Sequence, residues 1–189
     1  MILGIDVSTS CTGFALIDAT GKLIKSSYCN LSDFDDLFDK ATAVRSEIKK
    51  YSTSFNISSI SIEENLSIFR RGLSSAHTIS TLARFNGIVC YISYIELGFK
   101  PTIISVSDSR KSVGIRTAKK GEDAKAIVKE WVLIQEPEYQ WPTKTLRNGP
   151  RKGKIVYEKG VEDSMDAYVM ARACLALKND NNHFILKMC

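Results

Sequence analysis

The sequence has few of the residues that build zinc sites and disulfide frameworks. Its 189 residues include five cysteines and two histidines. The cysteines are scattered, with no Cys-x-x-Cys pair. Closely spaced thiols are typical of structural zinc sites, and an even set of cysteines is typical of secreted disulfide scaffolds. We therefore expect neither kind of site, and we expect a protein of the reducing cytoplasm.

Long hydrophobic runs are also absent. No apolar stretch approaches the roughly 20 residues of a membrane-spanning helix. The first apolar run is interrupted by Asp6 and follows no basic segment, so we predict neither a signal peptide nor a membrane partner. Hydrophobic residues make up 44% and charged residues 25% of the chain, as in an ordinary globular protein. The length favours one domain over residues 1–189.

Acidic residues are scarce in two parts of the second half, although the net charge is only +5. Residues 110–125 hold six basic and two acidic residues, and residues 144–159 hold six basic and one acidic residue. Two such blocks suggest a polyanionic partner. A solvated basic surface is the alternative for either block taken alone.

Hydrophobic periodicity predicts the element order βββ-α-β-α-β-α-α. The predicted strands are Ile2–Ile5, Phe14–Asp18, Leu23–Cys29, Asn56–Glu63 and Pro101–Val106, and the predicted helices are Asp33 to about Tyr51, Ser74 to about Leu97, Asp123 to about Ile134, and Val161 to about Lys178. A basic segment with Pro and Gly, at about 136–160, is predicted as a loop or a β-excursion. This order indicates an α/β fold with a mixed five-stranded sheet and helices on both faces.

Acidic residues stand at the ends of three of these elements. Asp6 ends the first strand and Glu63 the fourth, while Asp163 and Asp166 lie three apart at the start of the last helix. Residues three apart share one helix face, so all four carboxylates could meet at one edge of the sheet. Each acid alone has an ordinary explanation as a turn former, a helix-end residue or a solvated strand end. Glu64 also leaves open which of two adjacent glutamates belongs to the group.

A cluster of four carboxylates predicts a hard divalent cation. Without a counter-charge the acids would repel one another, and some would stay protonated. Mg²⁺ prefers carboxylate oxygens, and Mn²⁺ accepts the same ligands. Two such ions about 4 Å apart stabilise both the attacking and the leaving oxygen in phosphodiester hydrolysis. The pattern therefore indicates a nuclease with two ions in each active site.

The chain resembles the RuvC-type Holliday-junction resolvases of the ribonuclease-H-like superfamily. The matching segments follow the family's order along nearly the whole chain: "ILGIDVSTSCTGFALID", "ISIEENL", "LARFNGIV", "SVSDSRKSVGI" and "EDSMDAYVMA". Divergent members of this kind are frequent in phages and viruses, so the resemblance suggests a viral gene and, for a phage protein, the bacterial host cytoplasm. The segment 143–160 looks like an insertion before the last helix.

The resemblance implies a set of catalytic and metal-binding residues. Asp6, Glu63, Asp163 and Asp166 would be catalytic and would hold two Mg²⁺ or Mn²⁺ ions, with Asp6 bridging both. The turn Ser8–Ser10 would lie near the scissile phosphate. The partner implied is branched DNA, especially a four-way junction. The helix Ser74–Leu97 would build a two-fold homodimer, because paired cuts on opposed strands need two related sites.

Further residues are expected to contact DNA. Phe69 and Ile68 are candidates for the wedge that the family places shortly after its second acid. The expected phosphate contacts are the basic residues of the two blocks and of the segment after Glu63: Arg70, Arg71, Arg110, Lys111, Arg116, Lys119, Lys120, Lys125, Arg151, Lys152 and Lys154.

Other functions remain open from the sequence. A nuclease for flaps or replication forks would need the same residues. A lobe of a sugar kinase or actin-like ATPase also begins with a strand, an Asp and a Gly/Ser/Thr turn, but it needs a second similar lobe. A non-catalytic nucleic-acid-binding relative would gain nothing from clustered anions, because nucleic acid is itself a polyanion.

Overall fold

The structure, a computed structural model, describes residues 1–64 and 75–186, with side chains as far as residue 180. The strands are β1 Ile2–Asp6, β2 Cys11–Ile17, β3 Leu23–Asn30, β4 Ser59–Glu63, β5 Thr102–Ile104, β6 Thr143–Thr145 and β7 Ile155–Tyr157. The helices are α1 Leu37–Ser54, α2 Ala76–Leu97, α3 Val106–Ser112, α4 Ala124–Gln135 and α5 Val161–Leu186.

Five strands form one sheet in the order β3-β2-β1-β4-β5. β1 pairs antiparallel with β2, and β2 with β3, whereas β1 and β4, and then β4 and β5, pair in parallel. The predicted mixed five-stranded α/β sheet is confirmed. Its register places the carboxyl ends of β1 and β4 side by side, where Asp6 and Glu63 stand.

Helices cover both faces of the sheet, as predicted. One face packs against α1 and α2 through a core that includes Phe14, Tyr51 and Phe85. The other packs against α4 and α5 through a core that includes Val132 and Tyr168. Successive side chains of each strand point to opposite faces of the sheet, so they enter one core and then the other.

Close approach of α5 to the sheet depends on two glycines. A Cβ on Gly4 would overlap the carbonyl oxygen of Ala167, and a Cβ on Gly13 would overlap the carbonyl group of Asp163. The helix therefore lies against the backbones of β1 and β2. This contact places the first turn of α5 directly beside the carboxyl end of β1.

The structure moves several predicted boundaries. α1 begins at Leu37 rather than Asp33, because the Asp36 side chain accepts from the backbone N–H groups of Phe38 and Asp39 and caps the helix there. β4 begins at Ser59 rather than Asn56, and β5 is only three residues long. The short helix α3 was not predicted; Ser105 caps it by accepting from the Asp108 N–H.

The basic segment at about 136–160 contains a two-stranded β-excursion. β6 and β7 pair antiparallel as a separate sheet. The last helix continues past Lys178 to Leu186. No helix in the described parts of the chain is long and apolar enough to cross a membrane.

Candidate metal centre

Two carboxylates reach the same edge of the sheet because their strands are neighbours in register. Ile5 pairs with Ile62 across the parallel β1–β4 ladder. Asp6 and Glu63 are the next residues on each strand, and both strands end there. Asn86 of α2 donates from its side-chain amide to the Glu63 carbonyl at 2.9 Å. This bond fixes the end of β4, while the neighbouring Glu64 side chain is exposed.

The other two carboxylates come from the first turns of α5. Gly13 is the register partner of Asp6 and also the point where the backbone of Asp163 touches β2. Asp166 lies three residues later, on the same side of the helix. One glycine thus brings the helix start and the strand end together, and four carboxylates from three elements converge.

The four acids affect one another's proton affinity. Burial raises the pKa of Asp6 well above its usual range, and the charges of Glu63, Asp166 and Asp163 raise it further. Burial, followed by the charge of Asp166, raises the pKa of Glu63 to about 7. Burial also raises the pKa of Asp166 to about 6. Such shifts are the expected response of like charges that share a site without a counter-ion.

Two basic residues partly offset this repulsion. Arg110 of α3 places Nη2 at 3.9 Å from Oδ1 of Asp166. The positive charges of Arg110 and Lys125 lower the pKa values of Glu63 and Asp166 against the larger effect of burial. Both residues were predicted to contact DNA, and the structure places them against the carboxylates. The unpredicted helix α3 is the element that carries Arg110 to this position.

The turn after Asp6 is held by contacts from α1 and β3. Lys40 donates from Nζ to the carbonyl oxygen of Thr9 at 2.8 Å, and the Leu31 N–H donates to the carbonyl of Ser10 at 2.9 Å. The hydroxyls of Ser8 and Ser10 lie 3.1 Å apart. Lys40 was not predicted at the site, because a lysine in a helical first turn gives no sequence signal.

Cys11 is a second residue that the sequence did not indicate. It is buried at the start of β2. Burial raises the pKa of its thiol well above the usual range, and a hydrogen bond to Asp163 adds to the effect. The thiol therefore stays protonated and donates toward one of the four acids.

The donor chemistry of the cluster fits a hard divalent cation. All four groups are carboxylates, the ligands that hard divalent cations prefer, and burial raises the pKa values of Asp6, Glu63 and Asp166. Among the described side chains, no group of three His, Cys, Asp or Glu residues is arranged to hold one ion. An ion would therefore have to draw these carboxylates together as it binds.

Apart from Arg110 and Lys125, the predicted DNA-contacting residues fall into three sets. Arg116 forms an ion pair with Glu122 at 2.5 Å, and Lys111, Lys119 and Lys120 are exposed nearby. The tip of the β6–β7 hairpin exposes Arg151, Lys152 and Lys154. The remaining candidates lie outside the described residues: Ile68, Phe69, Arg70 and Arg71.

Comparison with known proteins rests on structure alone. No protein-family model matches the sequence, and no curated protein matches it. The structure is similar to that of Thermus thermophilus RuvC, with a TM-score of 0.63, 14% identity, and coverage of 95% of this chain and 96% of that chain. The T. thermophilus RuvC in complex with a Holliday junction substrate gives a TM-score of 0.64 at 13% identity, with 94% of each chain covered. Over nearly its whole length, this chain therefore has the ribonuclease-H-like fold of RuvC.

Proposed function

We propose that this protein is a metal-dependent endonuclease that cleaves phosphodiester bonds in Holliday junctions or related branched DNA. The observation that carries the proposal is the convergence of four carboxylates at one sheet edge, where burial, followed by neighbouring negative charges, raises the pKa values of Asp6 and Glu63. The fold supports it, since one structure with this fold is RuvC bound to a Holliday junction substrate.

In this proposal Asp6, Glu63, Asp163 and Asp166 hold two Mg²⁺ or Mn²⁺ ions. Bound ions of this kind activate a water molecule and stabilise the leaving oxygen in phosphodiester hydrolysis. Asp6 would be one of the ligands, and it is the acid whose pKa the charges of the other three raise. The carboxylates serve as ligands only when ionised, so binding must displace the protons that burial favours. Until an ion binds, the positive charges of Arg110 and Lys125 partly offset the repulsion among the carboxylates.

The turn Ser8–Ser10 receives the scissile phosphate in this arrangement. It begins two residues after Asp6, and its Thr9 and Ser10 carbonyl groups accept hydrogen bonds from Lys40 and Leu31. The hydroxyls of Ser8 and Ser10 remain near the surface and can donate to phosphate oxygens.

We further propose that the protein acts as a homodimer through α2. One side of this helix exposes large apolar side chains, with Tyr91 65% exposed and Ile95 52% exposed. Small residues, Ala83 and Gly87, continue the same exposed side toward the helix start. A second copy of the helix would cover this surface and place two active sites for paired cuts.

The test is cleavage of a panel of labelled DNAs. Four-way, three-way, flap and linear substrates are incubated with the protein in Mg²⁺, in Mn²⁺ and in excess chelator. We expect cuts in branched DNA only, strongest on the four-way junction, and none with chelator. Preference for flaps or forks would instead assign the protein to those substrates. Undiminished cleavage in chelator would reject the two-ion mechanism.

The dimer is tested separately by light scattering on the protein with and without junction DNA. We expect twice the monomer mass, and reversion to the monomer mass in Tyr91→Glu, since a charge on the apolar side opposes its burial. A monomer mass for the unmodified protein under both conditions would contradict the dimer.

A further inference from the structure

A basic hairpin projects from the protein outside the five-stranded sheet. It comprises residues 143–157, with β6 and β7 paired antiparallel from Thr143 with Tyr157 to Thr145 with Ile155. The pairing extends toward the tip, because the Leu146 N–H donates to the Lys154 carbonyl at 3.0 Å. Gly149 and Gly153 close the tip with positive φ angles of 81° and 84°. The segment is therefore an ordered two-stranded ribbon.

The charge of the basic hairpin has one sign. Residues 143–157 contain five basic and no acidic residues, and all five basic side chains are exposed: Lys144, Arg147, Arg151, Lys152 and Lys154. Within the part of the chain whose side chains are described, none of the five takes part in an ion pair. Such a surface lacks an internal counter-charge and suits a polyanion.

The base of the basic hairpin is fixed beside the four carboxylates. Nζ of Lys129 lies 3.8 Å from the Glu162 carboxylate on α5 and 4.3 Å from the ring centroid of Tyr157 on β7. One ammonium group thus joins the hairpin to the residue before Asp163. Tyr28 on β3 donates a hydrogen bond to Glu158, just beyond the hairpin. These contacts place the base of the hairpin against Lys129 of α4, close to the start of α5.

The dimensions of the hairpin suit a DNA groove. Asn148 at the tip lies five positions beyond Thr143, and at about 3.4 Å per residue the ribbon reaches about 17 Å from its base. A two-stranded ribbon fits the major groove of B-form DNA, which is about 12 Å wide. A reach of this size corresponds to about five base pairs along a duplex.

We propose that the basic hairpin binds a duplex arm of the DNA substrate, with the tip residues Arg151, Lys152 and Lys154 on phosphates about half a helical turn from the cleaved bond. The proposal rests on the proposed function for the position of the cleaved bond. It assigns to the hairpin the task of holding the arm, and to the carboxylates the chemistry. Because the contacts are to phosphates, they add affinity without reading sequence.

The first experiment compares two triple variants that remove the same charge. Arg151→Gln, Lys152→Gln and Lys154→Gln together lower the net charge from +5 to +2, as do Lys22→Gln, Lys49→Gln and Lys100→Gln. The control residues are exposed and lie toward the end of the sheet opposite Asp6. Binding of linear duplex and four-way junction is measured by fluorescence anisotropy in Ca²⁺ over a range of salt.

The hairpin variant should bind both DNAs at least tenfold more weakly than the control variant. Each lost phosphate contact should reduce the slope of log affinity against log salt by about 0.9, so a reduction of two to three is expected. Single-turnover cleavage of saturated complexes in Mg²⁺ should remain within about threefold of wild type. Equal affinities for the two variants would overturn the proposal.

The second experiment modifies the DNA, compares the unmodified protein with the hairpin variant, and locates the contacts. Neutral methylphosphonate linkages replace single phosphates along one junction arm, up to ten base pairs from the cleaved bond. The unmodified protein should lose affinity at a run of two or more positions near the fifth base pair, and the hairpin variant should show no loss at those positions. If no position on the arm affects binding, or if both proteins lose affinity alike, the hairpin does not hold the arm.

Failure of the proposed function would give a different result. A protein that cuts no branched DNA but shows the hairpin-dependent loss on linear duplex would keep the hairpin as a DNA-binding element and reject the nuclease. If the protein cuts junctions but the hairpin variant binds DNA with unaltered affinity, the nuclease function is kept and the hairpin is rejected as a DNA-binding element.

Discussion

The two ends of the five-stranded sheet bury acidic groups in opposite ways. At the end with Asp6, four carboxylates lie near one another, and burial, followed by the charges of the other three, raises the pKa of Asp6. At the other end, Glu136 is buried alone, and its Oε1 accepts from the Leu23 N–H at 2.8 Å and from the Tyr168 hydroxyl at 2.7 Å. Arg172 completes this second group by donating to the Tyr168 hydroxyl at 2.6 Å.

Both groups depend on the same helix. α5 supplies Asp163 and Asp166 at its start, and Tyr168 and Arg172 one to two turns later. An acid whose oxygen accepts hydrogen bonds from the protein can stabilise the fold, whereas clustered like charges need a partner from outside. We therefore expect Glu136 to serve the fold and the four carboxylates near Asp6 to serve binding. Four experiments can test this difference.

The largest effect is expected for Asp6→Asn. The change keeps the size of the side chain and removes one charge from the position that all the other acids face, so ion binding and cleavage should be lost together. We expect single-turnover cleavage to fall at least a thousandfold, about 4 kcal/mol of transition-state stabilisation. Affinity for junction DNA in Ca²⁺ should be unchanged or slightly higher, because an anion near the phosphates is gone.

Asp18→Asn provides the matched control at the opposite end of the sheet. The Asp18 carboxylate accepts from Thr20 and Lys22 in an exposed turn, and an asparagine oxygen can accept the same bonds. Its cleavage rate should stay near that of the unmodified protein. An Asp6→Asn variant that cuts as fast as the Asp18→Asn variant would show that Asp6 is not a ligand.

The second prediction concerns stability, pH and metal. Glu63 and Asp166 have pKa values raised to about 7 and about 6 in the folded protein, so the folded state holds protons that the unfolded state releases near pH 4. Their contribution to stability is full below about pH 4 and is lost as pH rises through 6 to 7. At about 1.4 kcal/mol for each tenfold change in proton affinity, Glu63 alone accounts for roughly 3 kcal/mol.

Thermal melting at pH 5 and pH 8, in chelator and in Mg²⁺, measures this effect. Mg²⁺ should raise the melting temperature more at pH 8, because the ionised carboxylates are its ligands. In Asp6→Asn the increase should largely disappear. A rise that is the same at both pH values, or the same in the variant, would argue against a metal centre at these acids.

Glu136→Ala should give a smaller effect, which changes stability and leaves cleavage unchanged. Removal of the carboxylate leaves the Leu23 N–H without its acceptor and the Tyr168 hydroxyl with only the Gly21 carbonyl at 3.4 Å, which destabilises the protein by about 1–3 kcal/mol. Urea denaturation should show this loss, while cleavage per folded molecule at low temperature should not change. A large loss of cleavage with normal stability would mean that this end of the sheet also serves the reaction.

The sequence predicted the parts of this comparison that rest on periodicity and on element ends. Strand alternation and helical spacing gave the mixed sheet, and acids at strand and helix ends gave the four carboxylates. The two contacts that Glu136 accepts were not predicted, because they join residues 113 and 32 positions apart. Arg110 was predicted to contact DNA, because the sequence does not show which side chain a basic residue will contact.

The role of Gly13 could not be predicted from the sequence. This glycine lies in the first segment that resembles the family, but only the register pairs it with Asp6 and only the packing of α5 places it against Asp163. A glycine needed for close backbone approach is indistinguishable in sequence from one needed for a turn.

The smallest predicted effect tests whether the end with Asp6 also needs contacts that are purely structural. Lys40→Met keeps most of the aliphatic stem and removes the donor to the Thr9 carbonyl. The turn Ser8–Ser10 should then move more freely beside Asp6, and cleavage should fall about tenfold, equivalent to about 1.4 kcal/mol. The loss of one hydrogen bond should lower the free energy of unfolding by about 1 kcal/mol.

Lys50→Met is the control on the same helix, since its ammonium pairs with Glu47 at 2.8 Å in an exposed position and an exposed pair contributes little. Single-turnover rates at saturating protein compare the cleavage step of the two variants without any contribution from DNA affinity. A positioning role for Lys40 requires a slower cleavage step with unchanged affinity. If Lys40→Met instead weakens binding and leaves the cleavage step alone, its charge acts on the DNA and the turn is held well enough by Leu31.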